Sequence, residues 1–206
     1  MGRGDDKLKK LFAILVPLVF VLSACKSNDA ISNTISVVEL TERENAILST
    51  TSDQSFVFDF NVDNDFEEVS VWIEKYESGK LVDDQISFIT SSVEESGTII
   101  FANSNRDGNQ KYPSFNIGIS SKGSTSSIRG FDPEPKDLDG MSSTWSHFQE
   151  ASNSIVEGEV VLASICYSSE GMMSSLTTDF YKDVDRHIDE LEKYDVVYLL
   201  KTEFKK

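Results

Sequence analysis

The chain has 206 residues, of which 39% are hydrophobic and 10% aromatic, so one domain with a substantial apolar core is expected. Its 35 acidic residues outnumber 19 basic ones and give a formal net charge of −16 at pH 7. This balance argues against nucleic-acid binding, which depends on clustered Lys and Arg, and the apolar content argues against intrinsic disorder.

The N-terminus has the order of a secretory signal peptide. A basic stretch precedes an apolar run over residues 11–22, and its basic residues are Arg3, Lys7, Lys9 and Lys10. The run is too short for a transmembrane helix, which needs about 20 apolar residues, and Pro17 interrupts it. We therefore expect residues 1–24 to be a processed signal rather than part of the fold.

The run ends in a branched apolar residue, two small residues and a cysteine: Leu22, Ser23, Ala24 and Cys25. This sequence resembles the lipobox of bacterial lipoprotein precursors. The resemblance implies a diacylglyceryl group on the Cys25 thiol and cleavage between Ala24 and Cys25. It also implies a protein anchored to the cell membrane and facing outside the cytoplasm, since acyl chains bury about 0.8 kcal/mol per methylene. The alternative is an ordinary secretory signal that happens to precede a cysteine.

Cleavage there would remove four basic and two acidic residues, which leaves 182 residues with a net charge of −18. Cys166 is the only cysteine besides Cys25, so no intramolecular disulfide is expected. The strongly apolar run over 160–166 predicts that the Cys166 thiol is buried and unreactive. In general composition the remainder resembles uncharacterised lipoproteins of Gram-positive bacteria, which assigns no functional residue.

Residues 26–35 are small and polar, and we interpret 25–35 as the lipidated cysteine with a flexible tether. A coil of about ten residues has a root-mean-square span of roughly 15–20 Å, which would keep the domain near the membrane. Residues 36–206 are expected to form a single mostly β extracytoplasmic domain. Its first part, residues 36–48, is compatible with either a short helix or two strand pieces.

Period-two alternation then begins with Phe56, Phe58 and Phe60 and predicts a half-buried strand with an aromatic inner face. A second strand around residues 69–76 and a turn over 77–80 predict a hairpin. Further strand-like runs cover 97–102, 114–120, 154–167 and 195–204. Together they favour a mainly β fold, an antiparallel β-sandwich-like domain.

One amphipathic helix is predicted near the C-terminus. Its apolar residues recur at helical spacing and are Phe180, Val184, Ile188 and Leu191. Residues 122–151 are rich in Ser, Gly, Pro and Asp and are predicted to be a long irregular loop, which in a compact domain is often functional.

That loop holds the candidate ligand contacts Phe131, Trp145, His147 and Phe148, with carboxylates at Asp132, Asp137 and Asp139. Aromatic rings mixed with carboxylates suit contact with a sugar or peptide through stacking and polar pairing. The same mixture suits a loop that its own aromatics pin to the sheet.

Metal binding has only weak candidates, and no metal and no cofactor are expected. Alternating oxygen ligands at 59, 61, 63 and 65 lack the glycine and glutamate of a calcium loop. Asn103, Asn105 and Asp107 precede Gly108 at suitable spacing, but an Asp-Gly turn between strands also explains them.

The residues indicate no particular activity. We expect a non-catalytic module that binds an envelope protein or cell-wall partner, with the membrane contacted through lipid on Cys25. One alternative is a binder of a small ligand, either a sugar or a peptide. A second is an envelope hydrolase that uses His147 or His187, although no Gly-x-Ser-x-Gly elbow is present.

Overall fold

A computed structural model describes residues 33–104, 113–149, 153–155, 158–171 and 173–206. The predicted signal peptide, Cys25 and most of the predicted tether lie outside the described residues, as do Asn105 and Asp107. Residues 33–206 form one compact unit.

The unit is built from two antiparallel sheets, in agreement with the predicted β-sandwich-like fold. Its strands are β1 (Thr34–Val37), β2 (Gln54–Asn61), β3 (Glu68–Glu77), β4 (Lys80–Ser92), β5 (Ser96–Ser104), β6 (Ser114–Ser121), β7 (Ser124–Phe131), β8 (Ser142–His147), β9 (Asn153–Ser154), β10 (Glu159–Ser168) and β11 (Val196–Lys205). One sheet, called sheet A, has the order β7-β6-β5-β2-β1-β9, and the other, sheet B, has the order β4-β3-β11-β10-β8.

The predicted tether ends earlier than residue 35. Thr34 and Ile35 already belong to β1, where they pair with Asn61 and Phe60 of β2, and Ile35 is fully buried. The apolar Ile35 side chain is the reason, because it packs in the core. After β1, helix α1 (Glu42–Ser49) begins at a capping box formed by Thr41 and Glu44.

The aromatic alternation of β2 is confirmed. Phe56, Phe58 and Phe60 are all buried between the sheets, whereas Asp59 and Asn61 are exposed on the other face. The Phe60 ring meets the Phe204 ring of β11 edge to face at a centroid distance of 5.1 Å. The aromatic inner face of β2 therefore joins the two sheets across the core.

The predicted hairpin between β3 and β4 is also confirmed. Glu77 pairs with Lys80, and the two residues between them, Ser78 and Gly79, have positive φ values of 47° and 77°. Positive φ at both central residues is the requirement of a type I′ turn, whose twist matches that of the flanking strands.

The predicted C-terminal helix is present as a helical segment of three short pieces. These are α2 (Thr178–Lys182), α3 (Val184–His187) and a 3₁₀ helix over Ile188–Lys193. The break falls at Asp183, whose backbone leaves the helical region, with φ −150° and ψ 82°. The segment packs on the outer face of sheet B, where the Tyr181 hydroxyl lies 2.8 Å from the hydroxyls of Ser146 and Ser164.

The prediction of a long irregular loop over residues 122–151 is wrong, because β7 and β8 form within it. Each is an edge strand of its sheet, with neighbours on one side only. Most β7 residues are exposed or half-buried. A strand that buries so little needs few apolar residues, and its Ser- and Gly-rich sequence therefore resembles a loop.

Candidate functional site

At one end of the sandwich the inner face of sheet A changes from aromatic to polar. Gln54 and Asn103 are cross-strand partners of β2 and β5, and they continue the inward positions occupied by Phe56 and Phe101. The Phe56 and Phe101 rings are stacked, with centroids 6.3 Å apart and planes 8° from parallel. The core therefore ends in a layer of aromatic rings with two amides above it.

The opposite wall comes from β8 and β10 of sheet B. Trp145 pairs with Ile165, and Ser143 pairs with Tyr167, so all four side chains lie on the inner face. Ile165 and Tyr167 are buried, whereas Trp145 is 45% exposed. Sheet B thus supplies a buried apolar base and one accessible indole at the rim.

Between these walls lies a cavity of about 300 Å³, which we call the Trp145 cleft. Its lining residues are Asp53, Gln54, Asn103, Ser143, Trp145, Ile165 and Tyr167. A hydrogen bond of 2.9 Å from the backbone N–H of Asp53 to the carbonyl oxygen of Asn103 fixes the backbone on the sheet A side. The cleft is therefore framed by paired strands rather than by a free loop.

Asn103 is the unusual residue of the cleft. Its side chain is 1% exposed, and its Oδ1 atom has no hydrogen-bond partner within the described part of the chain. A buried carbonyl oxygen without a donor typically costs about 1–3 kcal/mol, and such atoms are uncommon in native structures. The cleft is therefore lined by a residue whose buried acceptor lacks a donor among the described residues.

The polar side chains of the cleft restrict the chemistry it can accept. Among its lining residues Asp53 is the one ionisable carboxylate, and none carries a cationic side chain. The other polar groups of the lining are side-chain amides and hydroxyls, which bind a ligand through hydrogen bonds. The lining favours a polar ligand with hydrogen-bond donors.

The other predicted ligand contacts lie elsewhere. Phe148 is 2% exposed and stacks on Phe58 with ring centroids 5.6 Å apart, so it belongs to the core and offers no surface to a ligand. His147 lies at the end of β8, and its ring packs edge to face with the Phe56 ring at a centroid distance of 5.7 Å. Its Nδ1 lies 2.7 Å from the Phe148 carbonyl oxygen. His147 therefore packs beneath the cleft.

Phe131 is separated from Trp145 because the two lie at opposite edges of the sandwich. It ends β7, an edge of sheet A that packs near β4, whereas β8 is the opposite edge of sheet B. There the Arg129 guanidinium lies 5.4 Å from the Phe131 ring centroid. The predicted constellation is thus not a single site.

Asp132, also predicted near that constellation, is part of a buried polar cluster. Lys75 is 2% exposed, and its Nζ lies 2.8 Å from Asp132 Oδ2 and 2.9 Å from Glu77 Oε1. The Tyr198 hydroxyl donates to Asp132 at 2.7 Å. Burial lowers the pKa of Lys75, but its hydrogen bonds to Asp132 and Glu77 outweigh that effect and raise the pKa overall. Lys75 stays charged and ties β3 to the segment after β7.

The family of the chain follows from its match to a family model. The model for the YgaN domain matches residues 34–204, which run from the first residue of β1 into β11. The chain belongs to the YgaN domain family. A search of curated proteins and a search of solved structures found no match.

Within this YgaN domain the predicted thiol and metal candidates do not form a reactive centre. Cys166 is fully buried as predicted, and burial raises the pKa of its thiol to about 12. Across the described ranges, no group of three or more His, Cys, Asp or Glu residues is placed to hold a metal ion. Asn103 is turned into the cleft, while Asn105 and Asp107 lie outside the described residues.

The alternating acidic ligands at 59–65 are used in ordinary strand contacts. Asp59 Oδ1 accepts a 2.7 Å hydrogen bond from the Thr98 hydroxyl on β5. Asp63 Oδ2 accepts a 2.6 Å hydrogen bond from the Asn33 amide.

No helix among the described residues of the YgaN domain is long and apolar enough to span a membrane.

Sequence reasoning missed Gln54 and Ser143, and it considered Asn103 only as a calcium ligand. A signal for Gln54 and Asn103 was present in the alternation of their strands. Gln54 continues the inward positions 56, 58 and 60, and Asn103 continues 99 and 101. A polar residue at an inward position is the pattern that marks a cleft.

Proposed function

We propose that this YgaN domain protein is a lipid-anchored, non-catalytic binding module outside the cytoplasm, and that the Trp145 cleft holds its ligand. The observation that carries the proposal is that one cavity is lined both by Asn103, whose buried Oδ1 lacks a donor among the described residues, and by the half-exposed Trp145 indole. A concave site with an apolar base and a few convergent polar groups is the usual form of a ligand pocket.

The composition of the cleft supports binding rather than catalysis. A hydrolase would need a nucleophile within hydrogen-bond reach of a base. The cleft lining includes the Ser143 hydroxyl but no histidine or cysteine to activate it. His147 is bonded to the Phe148 carbonyl oxygen, and His187 Nδ1 lies 3.4 Å from a Glu190 carboxylate oxygen.

The lipid anchor is supported by the sequence before the domain. Cys25 follows the apolar run of the signal, and eight residues separate it from the first strand residue, Thr34. A mature domain with net charge −18 would be repelled by an anionic membrane surface, so a lipid would have to hold it there. From that position the module would reach an envelope protein or a cell-wall partner.

The experiment that tests the anchor is metabolic labelling with palmitate in cells that express the full chain. We expect the wild-type chain to be labelled and membrane-bound, and Cys25→Ser to be unlabelled and absent from the lipid-modified fraction. Cys166→Ser is the matched control, since that thiol is buried, and it should stay labelled. An unlabelled wild-type chain with an unmodified N-terminus, whose location Cys25→Ser does not change, would contradict the anchor.

A further inference from the structure

We infer that the ligand of the Trp145 cleft is a carbohydrate, of which one ring occupies the cleft. This inference rests on the proposed binding role of the cleft and names the chemical class of its ligand. Asn103 Oδ1 is buried and lacks a donor among the described residues, so a ligand hydroxyl or amide N–H placed there would satisfy it.

The Trp145 indole gives the same cavity an accessible aromatic surface. Trp145 is 45% exposed, although it lies on the inner face of β8. Its strand pairs with β10 at Ile165, so the backbone that carries the indole is fixed at the rim of the cleft before a ligand arrives. A pyranose ring has an apolar C–H face and a rim of hydroxyls, which matches a flat indole flanked by polar side chains.

The size of the Trp145 cleft and its polar lining also suit a single sugar ring. The cavity of about 300 Å³ is at the lower end of ligand pockets, which suits one ring rather than several residues of an extended peptide. The polar lining includes the amides of Gln54 and Asn103 and the Ser143 hydroxyl, groups that pair with sugar hydroxyls.

The chain offers a clean spectroscopic test because it has two tryptophans. Trp72→Phe leaves Trp145 as the only indole, and Trp72 is 5% exposed on the outer face of sheet B. The full-length Trp72→Phe chain, in a detergent without a sugar headgroup, would be titrated with chitotriose, maltotriose and galactose. We expect at least one sugar to shift Trp145 emission to shorter wavelength in a saturable way and to move its indole N–H resonance.

Variants identify the site. Asn103→Leu should weaken sugar binding about tenfold or more, because a hydrogen bond to the buried acceptor is lost. Asn116→Leu is the matched control on the outward face of β6 and should bind as the wild type does. If Asn103→Leu does not fold, Trp145→Ala followed by calorimetry replaces it, since that side chain is half-exposed and its loss should abolish binding.

Each other result overturns the inference in a distinguishable way. Sugar binding that is equal in wild type and Asn103→Leu would place the sugar elsewhere. Saturable binding of the peptide tri-alanine, with no response to the three sugars, would refute the carbohydrate class and leave the binding role intact. No response to any of these probes would refute both the class and the proposed use of the cleft.

Discussion

Replacement of Lys75 by methionine tests whether the buried polar cluster holds the domain together. Met is similar in length, so the substitution removes the charge and three donors with little change in volume. In the native structure the Lys75 Nζ contacts Asp132, Glu77 and the Glu134 carbonyl oxygen, the last at 2.6 Å. Both Lys75 and Asp132 are at most 3% exposed, so loss of the ammonium leaves the Asp132 carboxylate without a counter-charge in a poorly hydrated position.

The expected loss follows from that burial. Removal of one partner of a buried ion pair typically costs about 3–5 kcal/mol, because the other charge is left uncompensated. Against a typical domain stability of about 5–15 kcal/mol, Lys75→Met should therefore move the unfolding midpoint strongly. The double variant Lys75→Met/Asp132→Leu removes both charges and should recover roughly 2 kcal/mol of that loss. Recovery is incomplete because the Tyr198 hydroxyl loses its acceptor.

The assay is urea unfolding of the full chain, monitored by circular dichroism, for the wild type, each single variant and the double variant. Lys80→Met, an exposed lysine in the turn next to the same strand, is the control and should change stability by less than about 0.5 kcal/mol. A loss below about 1 kcal/mol for Lys75→Met, or a double variant as unstable as the sum of the singles, would refute the reasoning.

Two further predictions concern the turn and the acid response. Gly79→Ala should lower the free energy of unfolding by about 1–2 kcal/mol because φ is positive, and further because the new Cβ would lie 2.5 Å from Glu192 Cγ. Gly123 has a φ of 72° and open space around the Cβ position, so in the same urea assay Gly123→Ala should show only the loss of about 1–2 kcal/mol that comes from the positive φ. Backbone and side-chain hydrogen bonds from Ser169 hold the pKa of Asp195 below its ordinary value of about 4. This contribution to stability is present above that value and lost as the pH falls through the folded pKa, so the Tm difference between pH 7 and pH 3 should shrink in Asp195→Asn. An unchanged Tm difference in that variant would contradict the assignment.

The part of the fold that could be predicted is the part with strong alternation. The three phenylalanines of β2 indicated a strand with one buried face because their burial is regular along the chain. β7 and β8 escaped detection, since edge strands rich in Ser and Gly bury too little to leave a pattern. Asp183 likewise divides a helical segment whose apolar spacing looked continuous.

The candidate site could be predicted only in part, because it depends on which strands become neighbours. Trp145 was identified from its aromatic surroundings, but Phe131 lies at the opposite edge of the sandwich and Phe148 lies in the core. Asn103 was flagged by a spacing typical of calcium loops, whereas its place on the inner face explains its burial. Lys75 was not identified, although it follows the inward positions 69, 71 and 73, where a charged residue needs a buried partner.

The most direct test of the central claim is photo-crosslinking in living cells that express the full chain. p-Benzoylphenylalanine would replace Ser143, which is exposed and lines the Trp145 cleft, and in a control chain it would replace Ser127 on the exposed face of β7. The account predicts that irradiation attaches a carbohydrate to position 143, detected by mass spectrometry of its peptide, and leaves position 127 unmodified. An equal yield at both positions, or no adduct at position 143, would contradict it.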